Sequence, residues 1–225
     1  MLAPVTRMFV LIVALSILFA VVSVAWLTMR GPDSEESARI AEVLRSTAPP
    51  DEPSAYAPCA SCHLHDGSGR PDGAIPRLNG QRRAVIENKL NLLRAGVTGL
   101  AVMEPFARAL RPEEITEVAA YLSGLPETAV PQNEAAEEER TRGAALFAEH
   151  CASCHGASGE GNDGLLGSRL CGQYAGYLRR RLGEIAAHTR GDSDAIMQGV
   201  VDVIPEGDLR VIVAWLAPGN GCVSP

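Results

Sequence analysis

Aromatic side chains are scarce in this 225-residue chain: phenylalanine, tryptophan and tyrosine together make up 4% of it. Small cores are hard to fill without them, which fits a core built around a large apolar group other than a side chain. Basic character is thin as well. The formal net charge is −7, and no basic run is interleaved with aromatics in the way a nucleic-acid groove requires, which excludes nucleic acid as a partner. Nothing in the chain resembles the acid–base constellation that O–O cleavage calls on. The acid is also uneven. Lysine and arginine set against aspartate and glutamate give +2 over 1–30, −4 over 31–58, +1 over 59–126, −3 over 127–142 and −3 over 143–225. That is either ordinary solvated surface or two unlike faces offered to two partners.

What the chain does have is a pentapeptide written twice, Cys59-Ala60-Ser61-Cys62-His63 and Cys151-Ala152-Ser153-Cys154-His155. This is CxxCH, the attachment motif of haem c. Two thiols three positions apart each form a thioether with one vinyl group of the same porphyrin, and the next residue brings an imidazole to the iron. The alternatives are zinc half-sites or redox dithiols, in which the histidine is incidental. Each pentapeptide, however, sits in its own copy of a longer repeat, whereas a zinc site would need the two to converge. Two covalently bound haem c groups are therefore expected, one in each of two small domains.

Before the first motif, Met8 to Met29 is apolar except for Ser16, Ser23 and Thr28, between Arg7 and Arg30. That is long enough to span a bilayer. Ser23-Val24-Ala25 could also pass as a signal-peptide cleavage site, but the run is longer than a signal peptide needs. The expectation is a single transmembrane helix over 1–30, with the haem domains in the periplasm because haem c is attached outside the cytoplasm. Residues 31–54 read as a linker with a short helix from about Ser34 to Arg45.

Domain 1 spans 55–126 and domain 2 spans 143–225, joined by an acidic linker over 127–142. After His63 comes a glycine-rich loop, then Ile75-Pro76-Arg77-Leu78-Asn79-Gly80-Gln81. A helix with Ile86, Leu90 and Leu93 on one face ends near Gly96, and a last helix runs from Pro112 to Gly124 with Ile115, Val118, Ala119 and Leu122 inward. In the second copy Gly143-Ala144-Ala145-Leu146-Phe147 gives a helical turn into Cys151. Leu170-Cys171-Gly172-Gln173 repeats Leu78-Asn79-Gly80-Gln81 at an offset of 92 residues, the same as between the two motifs. A helix with Tyr174, Tyr177, Leu178, Leu182 and Ile185 follows, then a final one from Pro205 with Leu209, Ile212, Val213 and Leu216.

A closed haem needs a second axial ligand. Of five methionines, Met1, Met8 and Met29 lie at the N-terminus, which leaves Met103 and Met197, each 18 residues before the aromatic of the last helix, Tyr121 or Trp215. A lone methionine is usually core filler, but the paired position outweighs that. His/Met ligation raises the potential and leaves no position for substrate. His65 and His150 sit too close to a motif to reach the far face, and His188 is a geometrically possible rival to Met197. Arg77 and Arg169 occupy equivalent places, either reaching haem propionates or simply exposed. Cys171 and Cys222 belong to no motif. An even pair of spare cysteines in an oxidising compartment invites a disulfide.

From about residue 55 to 225 the chain resembles the two-domain dihaem cytochromes c of the cytochrome c4 type, through CxxCH, Pro-Arg-Leu-x-Gly-Gln, the methionine and the aromatic-bearing last helix. The resemblance implies an all-α fold of two tandem class I cytochrome c domains. It places His63 and Met103 on one iron and His155 and Met197 on the other, and makes the Pro76 carbonyl the acceptor for its haem histidine, with Ser168 at that position in the second half. No residue is catalytic: the chain is an electron carrier, not an enzyme, and takes no small-molecule substrate. The expected function is membrane-anchored electron transfer in a periplasmic respiratory chain at the bacterial inner membrane. The donor is a quinol-oxidising complex or dehydrogenase and the acceptor a terminal oxidase or reductase. The alternative is a haem subunit through which electrons enter a larger oxidoreductase complex, and behind it a haem peroxidase.

Overall fold

The structure, a computed structural model, describes residues 15–19, 35, 39, 49–126, 136–189 and 195–217. Contacts separate two units, Met1–Thr47 and Ala48–Pro225. In the first, residues 15–19, Glu35 and Arg39 are helical, and Arg39 pairs with Glu35 one turn away at 2.5 Å. The rest of the expected transmembrane helix and of the 34–45 helix lies outside the described residues. Among the described residues no helix is long and apolar enough to cross a membrane.

The second unit is helical and repeats itself. In the first half a 3-10 turn, Ser54–Tyr56, leads into α1 (Ala57–His63), which carries the first haem motif. α2 (Arg83–Ala95) stops where Gly96 turns left-handed with φ 71°, donating its N–H back to Leu92 and Leu93. α3 (Glu104–Ala109) and α4 (Pro112–Gly124) follow. α4 has Pro112 in its first turn, and its N-terminus is closed by Glu114, which accepts from the Arg111 backbone at 2.7 Å and from its guanidinium at 2.9 Å.

The second half opens with α5 (Glu137–His150), continues through α6 (Ala152–His155) with the second motif, and then α7 (Ala175–Ala186), α8 (Ala195–Val201) and α9 (Glu206–Leu216). α5 begins inside the stretch read as acidic linker. Glu137, Glu138 and Glu139 fill its first turn, where negative charge meets the positive end of the helix dipole, so the acid that looked like solvated linker starts a helix. α3 was also not expected. Pro105 looks like a breaker but sits in the first turn, where its missing N–H costs nothing.

Each half has its own apolar cluster. Tyr56, Ala60, Ile86, Val118, Ala119 and Leu122 form one; Phe147, Leu178, Ile204, Ile212, Val213 and Leu216 form the other. The inward residues of α4 are the four that helical periodicity selects. Tyr56 stacks obliquely on Tyr121 with centroids 5.3 Å apart, and Phe147 on Trp215 at 4.7 Å. α5 lies directly on α9 through Gly143, where a Cβ would fall 2.2 Å from the Val211 carbonyl oxygen. Only glycine lets the two backbones come this close.

Candidate haem sites and the seam between them

In each half the motif forms the last turn or turns of a short helix, so the two cysteines lie on one side and the histidine follows at its end. None of the four motif cysteines is held in a disulfide, which leaves all four for thioether bonds. His63 and His155 are buried, at 5% and 9% exposure. His63 Nδ1 lies 3.2 Å from the Pro76 carbonyl oxygen and His155 Nδ1 lies 2.8 Å from the Ser168 carbonyl oxygen. A carbonyl only accepts, so each ring carries its proton on Nδ1 and keeps the Nε2 lone pair for a metal. Burial lowers both histidine pKa values, with the carbonyl bonds acting the other way. Both imidazoles are thereby held neutral and oriented, as ligation of haem iron demands, and the donor set fits haem c. The substitution of serine for proline at 168 leaves the interaction intact, because the acceptor is a backbone group.

Met103 is the residue before α3 and Met197 lies within α8, both half-buried. The remaining histidines are engaged elsewhere. His65 Nδ1 is 2.6 Å from the buried Glu52 carboxylate, and its carbonyl accepts from Tyr121. His188 is exposed with Nε2 3.3 Å from Asp202, and His150 lies 3.7 Å from Glu149. No group of three or more His, Cys, Asp or Glu among the described residues is placed to hold a metal ion. Cys171 is buried and disulfide-bonded; Cys222 lies outside the described residues.

The alternative of an exposed guanidinium does not hold for Arg77. It is 8% exposed, donates through Nη1 to the Gly172 carbonyl at 3.0 Å, and stands 5.8 Å over the Tyr174 ring. Arg169 approaches Cys171 Sγ at 3.7 Å. Both belong to a seam between the halves whose principal residues the sequence reading assigned no role. Gln173 accepts from the Arg77 N–H at 3.0 Å and donates to the Arg77 carbonyl at 2.9 Å. Gln81 does the same to Arg169, at 2.7 and 3.0 Å. The signal was present, since Gln81 and Gln173 are related by the repeat offset. Around them Tyr174 donates to the Ser68 carbonyl at 2.7 Å, Arg180 to the Gly73 carbonyl at 2.8 Å, and Arg82 pairs with Asp163.

Residues 141–217 match the family model described as Cytochrome c, and residues 55–122 match that of Cytochrome C oxidase, cbb3-type, subunit III. A thiosulfate dehydrogenase electron acceptor of Stutzerimonas stutzeri (strain A1501) is 32% identical over 168 residues, 71% of this chain and 77% of that protein. Among solved structures, Acidithiobacillus ferrooxidans cytochrome c4 superposes with a TM-score of 0.62 at 26% identity, over 72% of this chain and 99% of that one. Thiosulfate dehydrogenase (TsdBA) from Marichromatium purpuratum superposes with a TM-score of 0.58 at 30% identity, over 71% of this chain but 36% of that one.

Proposed function

The chain belongs to the cytochrome c4-like dihaem cytochromes c, and from that premise we propose that it is a membrane-anchored shuttle carrying electrons through the periplasm to a terminal oxidase. It is an electron carrier with two covalently bound haem c groups. The observation that carries the reading is the pair of buried histidines, each with Nδ1 fixed on a carbonyl and Nε2 kept for iron. Cys59, Cys62, His63 and Met103 would hold the first haem, and Cys151, Cys154, His155 and Met197 the second. Bound haem would supply a one-electron couple, and a methionine thioether among its ligands would favour the reduced state. The chain's own residues fix each imidazole, exclude water from its proximal side, and join the halves so that their relative position does not have to be found at each transfer. The apolar segment before residue 30 is the anchor, and Cys171 pairs with Cys222.

A second reading is favoured by the Stutzerimonas relative, a thiosulfate dehydrogenase electron acceptor. In it this chain is the haem subunit through which a dehydrogenase passes its electrons on. Gentle solubilisation followed by native electrophoresis separates the two: a lone band supports the shuttle, and a band migrating with a dehydrogenase supports the subunit. The test of both is the spectrum of the reduced protein before and after carbon monoxide. An unchanged spectrum is expected, because Met103 and Met197 would close both irons. A change in about half the haem absorbance would mean one open iron and would bring the peroxidase reading forward.

A further inference from the structure

The two glutamines reach further than the seam. A peptide unit joins the carbonyl of one residue to the N–H of the next through a bond with partial double-bond character. The carbonyl that holds His63 belongs to Pro76, and the N–H of that same peptide belongs to Arg77 and donates to Gln173 of the other half. The arrangement recurs: the Ser168 carbonyl holds His155, and the N–H of that peptide, from Arg169, donates to Gln81. Each glutamine amide also donates to the carbonyl of the same arginine, at 2.9 Å from Gln173 and 3.0 Å from Gln81. Its oxygen is thereby held on the N–H.

We propose that Gln81 and Gln173 are crosswise positioning residues: Gln173 tunes the haem ligand His63 of the first half, and Gln81 tunes His155 of the second. An acceptor on the N–H side of a peptide polarises it and makes its carbonyl a better acceptor, since hydrogen bonds in a chain strengthen one another. A better carbonyl acceptor draws the Nδ1 proton and makes the imidazole a stronger donor to iron, which favours the oxidised state. Docking of one half thus lowers the potential of the haem in the other. The relay is tighter on the second haem, at 2.7 and 2.8 Å, than on the first, at 3.0 and 3.2 Å.

The inference rests on His63 and His155 being axial ligands, as proposed above. It is tested on the full-length holoprotein by redox titration of wild type, Gln173→Leu and Gln81→Leu, with the haems told apart through Met103→Leu and Met197→Leu. Leucine fills similar space and cannot accept. Gln173→Leu is expected to raise the potential of the first haem and Gln81→Leu that of the second, with the larger shift from Gln81→Leu. The ring Nδ1–H resonance of the affected histidine should move upfield in the reduced protein. If either leucine variant fails to accumulate, Gln→Met at the same position gives the same readout with a more adaptable side chain. A shift confined to the glutamine's own half, equal shifts in both haems, or no shift would overturn the proposal. A wild-type protein without two iron-bound imidazole resonances would overturn the ligand assignment itself, which separates the two failures.

Discussion

The two halves hold their haem histidines in the same way and build the surrounding fold differently. In the second half a 14-residue helix lies on the last helix through Gly143. Over the described part of the equivalent stretch the first half has only the three-residue 3-10 turn that leads into its motif helix, and Tyr56 lies against Tyr121 where the second half sets Phe147 on Trp215. Just after the motif the backbone takes a positive φ in both halves, 62° at Leu64 and 83° at Gly156. The second half uses the residue that accepts this conformation and the first does not. The histidine–carbonyl contact is what attachment and redox chemistry need, and it is common to both. The helices that deliver it are free to differ.

The largest break in that comparison comes from removing haem. Replacing Cys59 and Cys62 by serine should leave one haem per chain by mass and strip more helix from the far-ultraviolet circular dichroism than replacing Cys151 and Cys154. Among the described residues the first half has no counterpart of the α5–α9 pair, which leaves its two 13-residue helices, α2 and α4, to hold it. Equal losses would mean that the α5–α9 pair contributes nothing of its own. Next is Gly143→Ala, which drives a methyl group into the Val211 carbonyl. It should destabilise the second half by about 1–3 kcal/mol or more, as overpacking does, and thermal unfolding followed at each haem should show the second melting first.

A smaller effect of opposite sign is expected at Leu64, which is 47% exposed and so gives up little burial. Leu64→Gly should stabilise the first half by about 1 kcal/mol by relieving backbone strain, read as a higher denaturant midpoint; unchanged stability would mean the turn costs nothing there. The smallest effect concerns acid. The Arg111 side chain and backbone hold the Glu114 carboxyl below its usual range. A lowered folded-state pKa gives stability that is present above the ordinary glutamate value and is lost as pH falls through the folded one. α9 carries Glu206 and Asp208 in its first turn but no side-chain cap, so acidification should fray α4 more than α9 in amide exchange. Glu114→Gln should remove the difference.

Much of this was legible because the chain carries its own control. A motif and a Leu-x-Gly-Gln segment recurring at one offset fix the register, and helical periodicity then selects the inward face of α4 and most of those of α2, α7 and α9, missing the buried Val85 and Val211. What stayed hidden had physical reasons. Pro105 and the glutamates at 137–139 carry loop-like composition but sit in first turns, where proline and acid are favourable. A repeat says that Gln81 and Gln173 are equivalent, yet not that each crosses to the other copy. Arg77 is charged, and its pattern fits a propionate and open solvent equally; its burial against a carbonyl of the opposite half and the Tyr174 ring removes the solvent reading.

The seam is addressed largely to main-chain atoms. Gln81, Gln173, Arg77, Tyr174 and Arg180 all bond to N–H or carbonyl groups across it, and Arg82 with Asp163 is a side-chain pair. A main-chain atom is the same whatever residue carries it. Over generations the positions being gripped can change their side chains without either half losing its hold on the other. Such a duplicated protein can let its copies drift apart in sequence, and so specialise for different partners, while the distance an electron must cross between them stays constant.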